Sequence, residues 1–301
     1  MLTGGTGFVG GAVADQLILR GRKFQIISRN NKTNQRDSLV QLPVPGQLFP
    51  ATTIAEAESV INLAGESIAG SRWNARVRHN ILHSRVEITS CIVKSIRRNQ
   101  ELGLPYPKVL VNASAMGYYG THPKQKFTEN SGNGHGFLAE VCRRWEDEAL
   151  KAESLGVRVV RLRFGHVLGR DGGLLAKVAM PFHFGIGGYL GDGQQWMSWI
   201  HRKDLVKIIL QAVDDETWQG AYNACTPNAV NMQEFMKALG SVLNSKSRIH
   251  IPAFLTRLLF GDLAEEVLLK GQRLYPKRLL GQGYEFEYST LSEALADIFV
   301  K

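Results

Sequence analysis

Through the first half of this 301-residue chain, short apolar runs alternate with longer stretches in which apolar residues recur every three or four positions. The runs "KFQIIS", "SVINLAG", "KVLVNAS" and "VRVVRLRFG" have strand length and β-branched character. The stretches "FVGGAVADQLILR" and "WNARVRHNILHSRVEITSCIVKSIRR" carry the helical period, and the first of them ends at Gly21, a suitable C-cap. In "FLAEVCRRWEDEALKAESLG" the same period aligns Leu138, Val141, Cys142, Trp145 and Ala149 on one face. Such alternation predicts an α/β fold, a Rossmann-type doubly wound parallel sheet with helices on both faces.

Beyond Gly165 the pattern loosens. "GRDGG" and "FGIGGYLGDGQQ" predict long loops of the kind that cover a ligand. A helix over "HRKDLVKIILQAV" and a strand over "GAYNACT" follow, and from about residue 228 helices dominate, closing with "LSEALADIFV". The expected organisation is a nucleotide-binding core over 1–165, completed by about 199–227. A smaller, mostly helical C-terminal substrate or cap region is expected over 166–198 and 228–301. No internal repeat, low-complexity tract or linker interrupts it.

Composition narrows the class. Apolar residues make up 44% and charged residues 21%, as in ordinary globular enzymes. Every apolar run is interrupted before the ~18 to 20 residues of a membrane span, and no charged-then-apolar leader precedes the first helix. These features predict an intracellular soluble protein of the cytoplasm or the mitochondrial matrix, without a membrane partner. Cys91, Cys142 and Cys225 fit no metal spacing, so reduced thiols and no metal are expected. The net charge of +9 is scattered rather than clustered and lacks aromatic interleaving. That pattern points to a phosphorylated small ligand and away from nucleic acid.

The candidate chemistry begins at "MLTGGTGFVGG". Gly4, Gly7 and Gly10 stand at a strand-to-helix junction, where glycine permits the tight turn and the close approach of backbone to a pyrophosphate. The helix N-terminus then offers free N–H groups and partial positive charge to phosphate. Only Met1, Leu2 and Thr3 precede the loop, whereas a strand normally runs ~5 to 6 residues. A truncated first strand is expected, or a start site that omits a few residues. The second strand ends Ser28-Arg29-Asn30, with no acid to accept from ribose hydroxyls. A hydroxyl beside a guanidinium suits a 2′-phosphate, so NADP(H) is expected over NAD(H).

Taken in order, "TGGTGFVG", "VINLAGE", "YYG", "RFGHVLG", "WIHRKDL" and "GQRLYPKRLLGQGYEFEY" resemble one family along almost the whole chain. It is the atypical, epimerase-like branch of the extended short-chain dehydrogenase/reductases. The resemblance implies an NADP-dependent oxidoreductase or epimerase-like protein. It also implies that Thr6, Gly7, Phe8 and Val9 cradle the pyrophosphate and that Ser28 and Arg29 hold the adenosine phosphate. By the same resemblance Leu63 and Ala64 line the adenine-ribose side, Asn80 and Arg85 flank the site on the long helix, and Val167 lies beside the nicotinamide.

Members of that superfamily that move a hydride use Tyr-x-x-x-Lys on a helix, with a Ser or Thr after the preceding strand. None of the eight tyrosines here has Lys four positions later. With Glu146 as marker, the two helix positions hold Leu138 and Cys142, and the hydroxyl position holds Ala115, one after Ser114. The catalytic residues are therefore unknown from sequence. Ser114, Tyr118, Tyr119 and His166 are imaginable substitutes with structural alternatives, and Gln194, Gln195, Trp196 and Trp199 suit a substrate side. His201 and Asp204 are placed to cap the helix that starts there. Two functions stand open: an enzyme acting on an unidentified small molecule, or a nucleotide sensor that kept the site and lost catalysis. The oligomeric state is left open.

Overall fold

The computed structural model describes residues 1–28, 39–41, 46–69, 72–245 and 249–300. Its central sheet contains β1 (Leu2–Thr3), β2 (Ile26–Ser28), β3 (Leu39–Gln41), β4 (Ser59–Asn62), β5 (Val109–Ala115), β6 (Arg158–Phe164) and β7 (Gly220–Ala224). All are parallel, in the spatial order β3-β2-β1-β4-β5-β6-β7. The chain winds outward from β1 to β3 and then returns to build from β4 to β7 on the other side. That reversal opens a crevice over the carboxyl ends of β1 and β4, where open α/β sheets bind ligands.

Helices cover both faces as the alternating pattern predicts. On one face α1 (Phe8–Leu19) buries Val13, Ala14 and Leu17 beside Leu205, Ile208 and Ile209 of α6 (Arg202–Asp214). On the other, α3 (Ala75–Glu101) buries Ile88, Ile92 and Ile96, together with Ile54 of α2 (Ala51–Ala55) and Ala149 of α4 (Phe137–Leu150). Each such side chain contributes about 1.5 to 3 kcal/mol through its removal from water. Asn74 starts α3 by accepting a hydrogen bond from Val77 N at 2.9 Å, which satisfies one of the orphan donors of the first turn.

The first strand is indeed short. Leu2 and Thr3 are fully buried, and the Met1 ammonium donates to Ser59 O at 2.8 Å. A polar ladder compensates across the sheet interior. Thr3 Oγ1 donates to Asn62 Oδ1 (2.6 Å), and Asn62 Nδ2 donates to Asn112 Oδ1 (2.6 Å) and Thr89 Oγ1 (2.9 Å). Trp145 Nε1 reaches the same Thr89 hydroxyl at 3.0 Å. Because each of these buried groups is paired, the ladder holds β1, β4 and β5 in one register against α3 and α4.

The stretch 166–198, read as long loops, contains a helix instead. α5 spans Gly173–His183, with Leu175, Ala179 and Phe182 buried. Pro181 and the glycines at its start disguise the helical period; Pro181 gives up one N–H bond, to the carbonyl four residues earlier, and the helix ends two residues later. Phe182 joins a second apolar cluster with Trp199, Phe235 of α7 (Met232–Val242) and Leu295 of α10 (Leu291–Phe299). Between α7 and α10 run α8 (Ala253–Phe260), a π-helical turn (Ala264–Leu268) and α9 (Lys277–Gly281). The tail is anchored on α6, where the buried Asp204 carboxylate accepts from Glu287 N (2.9 Å) and Tyr288 N (3.0 Å). No helix among the described residues is long and apolar enough to cross a membrane.

Candidate functional site

At the carboxyl edge of β1 the glycine loop turns so tightly that side chains are excluded from it. Gly4 has φ +68°, and a Cβ there would lie 2.6 Å from Leu63 O. A Cβ on Gly10 would lie 2.1 Å from Gly4 O. Gly7 precedes α1 and no side chain caps that helix. The first N–H groups of α1, from Phe8 onward, consequently have no intrahelical acceptor and form a ready site for an anion.

This helix end borders a cavity of about 750 Å³ lined by Thr3, Gly4, Thr6, Gly7, Ile27 and Ser28, and on its far side by residues 63–66 and one face of α3. Of the positions singled out in the sequence, Gly4, Thr6, Gly7, Ser28, Leu63 and Ala64 line it. Arg29 lies outside the described residues.

The other positions are placed differently. The Phe8 ring is wedged against Gly169, Gly172 and Gly173 beneath the Arg202 guanidinium, 4.7 Å from the ring centre, so only its backbone faces the loop. Val9 and Val167 pack on the apolar core under α1 and α6. Asn80 is half-buried on α3 and is not among the cavity-lining residues.

Arg85 stands immediately behind the wall. Its guanidinium donates to Ile81 O (2.8 Å) and Glu66 O (2.9 Å) and lies 5.3 Å from the Trp145 ring. It crowds Gly65, where a Cβ would be 3.0 Å from Cζ. Burial lowers its pKa, and among the described residues it forms no ion pair with a carboxylate. The guanidinium is half-buried and the charge of Glu66 acts on it, but no carboxylate among the described residues bonds to it, so an incoming phosphate is favourable here.

The cavity also holds residues that the sequence did not single out: Gln47, Glu66, His83, Ser84 and Glu87. Ser84 Oγ accepts from Glu66 N at 3.0 Å and so fixes the segment leaving β4. The positions 83, 84, 87 and 88 repeat at helical spacing on α3, a signal that periodicity contained but that required knowing which face met the crevice.

The positions of the usual catalytic set hold groups that cannot replace it. A Cβ on Gly117 would touch Leu138 Cβ (3.1 Å) and Cys142 Sγ (3.6 Å), so α4 packs closely on the turn after β5. Burial, reinforced by Glu146, pushes the Cys142 thiol up to about 11. Ser114 lies within β5, not in the loop beyond it, and donates to Glu146 Oε1 at 2.7 Å. Glu146 also accepts from Arg161 Nη1 (2.9 Å), Arg163 Nε (2.8 Å) and Arg163 Nη2 (2.8 Å). Tyr119 is buried, donates to Asn223 Oδ1 (2.6 Å), and has its phenol raised well above the ordinary value by burial. Arg163 Cζ lies 3.5 Å from the Tyr118 ring centre.

On the substrate side, Trp199 is fully buried in the core, with Nε1 donating to Asn228 O at 3.1 Å. Gln195 Nε2 joins Leu190 O (3.1 Å) to Leu268 O (2.7 Å), and Trp196 lies under Arg273, 4.3 Å from its Cζ. These residues clamp the loop to the C-terminal region.

His166 is half-buried and held down to about 4 by burial. His201 is the N-cap of α6, its Nδ1 accepting from Lys203 N at 3.2 Å. Burial pushes it down to about 4, against the nearby Asp297. The unfolded chain therefore binds a proton at His201 that the folded chain refuses between pH 4 and 6.5, so stability falls as pH drops through that window. A loss of about 3 kcal/mol is expected from this group. Urea midpoints measured from pH 7 to 4 should show a shallower decline in His201→Asn, which retains a capping oxygen.

Comparison with known proteins agrees with this geometry. The model of the NAD dependent epimerase/dehydratase family matches residues 1–225, and a domain of unknown function, DUF1731, matches residues 251–298. The chain is 39% identical over 307 residues to the chloroplastic epimerase family protein SDR39U1 homolog of Arabidopsis thaliana, covering 99% of this chain and 85% of that protein. It is 35% identical over 299 residues to epimerase family protein YfhF of Bacillus subtilis, covering 99% and 96%. Human epimerase family protein SDR39U1, solved with NADPH, superposes with a TM-score of 0.86 at 29% identity, covering 99% of this chain and 97% of that one. With the family model matching residues 1–225 and relatives of 35–39% identity spanning nearly the whole chain, the chain belongs to the NAD-dependent epimerase/dehydratase family.

Proposed function

We propose that this protein binds NADP(H) and acts as an oxidoreductase or epimerase-like enzyme on a small molecule. The observation that carries the reading is the uncapped N-terminus of α1, opening on a cavity of about 750 Å³. The strand beside it ends at Ser28, the sequence continues Arg29-Asn30 without a carboxylate, and the cation of Arg85 lies half-buried behind the wall. A relative solved with NADPH supports the same cofactor. Bound there, the cofactor would supply hydride transfer. Thr6, Gly7 and the first N–H groups of α1 would hold phosphate, Ser28 with Arg29 would hold the 2′-phosphate, and Leu63 and Ala64 would wall the adenosine.

Calorimetry is expected to show NADPH binding more tightly than NADH. Arg85→Met should weaken NADPH binding about tenfold while leaving thermal stability little changed, because the two carbonyl bonds it loses are offset by removal of a half-buried charge. Equal affinity for the two cofactors would overturn the NADP assignment, and unchanged affinity in Arg85→Met would remove Arg85 from the site.

A second reading is favoured by Ala115, Leu138 and Cys142 at the usual catalytic positions. On this reading the protein senses the nucleotide and catalyses nothing. NADPH absorbance followed across sugar nucleotides, carbonyls and quinones separates the two, since turnover of any of them excludes the sensor.

A further inference from the structure

On α3, His83 lines the cavity and His79 stands one helical turn before it, outside the lining. His79 and His83 stack with ring centres 3.7 Å apart and planes inclined by 24°. Residues four apart on a helix share a face, and an imidazole pair at this spacing can grip one ion between them. One turn further on, Glu87 Oε1 lies 2.7 Å from His83 Nδ1. A carboxylate only accepts, so the His83 proton resides on Nδ1 and its Nε2 lone pair is left free to ligate. This is the carboxylate–histidine arrangement that orients metal-binding imidazoles and raises their basicity.

A second observation points to a cation independently. Glu66 and Glu87 both line a cavity whose glycine loop and helix end are built to receive an anion. Lys94 also lines the cavity and Arg85 stands behind its wall, and a divalent ion beside Glu87 would further offset the repulsion between that carboxylate and phosphate. The neighbouring cation on the helix, Arg78, is turned away from this face toward Asp262, Trp73 and Phe137. His79 is exposed, and His83 and Glu87 keep 41% and 58% of their side-chain surface exposed, so the two rings can rotate to splay around an ion, with Glu87 following His83, at little cost.

We infer that His79 and His83 form a two-point site for a divalent transition-metal ion at the rim of the nucleotide cavity, with Glu87 orienting His83. Imidazole nitrogen favours Zn²⁺, Ni²⁺ or Cu²⁺ over Mg²⁺ or Ca²⁺. Among the described residues no group of three His, Cys, Asp or Glu side chains converges as a closed metal cage, so the remaining positions of the ion belong to water.

The test uses the full-length, tag-free chain, stripped of metal with a chelator and titrated calorimetrically with zinc, nickel and magnesium chloride. Zinc and nickel are expected to bind at one site and magnesium not at all. His79→Ala and His83→Ala should each lower zinc affinity at least about tenfold, and Glu87→Gln by about tenfold through the loss of the orienting carboxylate. All three side chains are exposed, so metal-free melting temperatures should match the parent and separate loss of ligand from loss of fold. Absence of zinc binding, or zinc binding that survives either histidine substitution, overturns the site.

Discussion

Alanine at Gly10 is expected to abolish useful dinucleotide binding. The added methyl would stand 2.1 Å from Gly4 O, 2.8 Å from Gly4 C and 2.9 Å from Gly5 Cα, all backbone atoms that cannot rotate aside. Either the loop opens or α1 retreats from the sheet, and both displace the N–H groups that face the cavity. Overpacking of this kind costs up to about 3 kcal/mol, which corresponds to about a hundredfold in affinity if the loop carries the whole strain. Gly11→Ala is the control. A Cβ there would meet nothing nearer than Gly5 O at 3.9 Å, and alanine should stabilise the helix by about 0.5 to 1 kcal/mol. Calorimetric titration of both variants with NADPH reads the difference, and wild-type affinity in Gly10→Ala would sink the role given to the loop.

The largest stability loss is expected from Glu146→Gln. The carboxylate is 1% exposed and gathers Ser114 Oγ, Arg161 and two nitrogens of Arg163, itself 3% exposed. Glutamine keeps the shape but leaves the Arg163 cation buried beside a neutral amide whose own N–H groups face donors. Breaking a buried pair by removing one partner costs about 3 to 5 kcal/mol. At roughly 2 to 4 °C per kcal/mol in chains of this size, the melting temperature should fall by about 10 °C. Glu146→Gln/Arg163→Met removes the orphaned charge and should recover part of that loss. A melting temperature unchanged in the single variant would show that the cluster carries no net stability.

Both predictions rest on features of different legibility. The glycine loop was readable because its requirement is local: steric exclusion within a few residues leaves glycine as the only solution at Gly4 and Gly10. The parallel sheet was readable for a similar reason, since short apolar runs mark strands buried on both faces and period 3.6 records which helix residues face a core. Ser114, by contrast, was only an imaginable catalytic group, and its partner Glu146 is 32 positions away. No spacing rule connects them; only the packing of α4 on β5 does.

The same division runs through the candidate site. Sequence pattern was sufficient for the doubly wound architecture, for Gly4, Gly7 and Ser28 at the crevice, and for the missing Tyr-x-x-x-Lys, whereas Thr6, Leu63 and Ala64 came from the family resemblance. It could not show that Phe8 turns its ring into the Gly169–Gly173 bend while its backbone stays at the loop, that Trp199 is core, or that α5 folds despite Pro181. Nor could it show Arg85 held on the carbonyls of Ile81 and Glu66 behind the wall, or His83 and Glu87 turned into the cavity. The physical reason is one of range. Turn sterics and hydrophobic periodicity act within a helical turn or a strand, and are written into neighbouring residues. Which face of a helix meets a crevice, and which charges are left unpaired there, is settled only when segments far apart in the chain pack together.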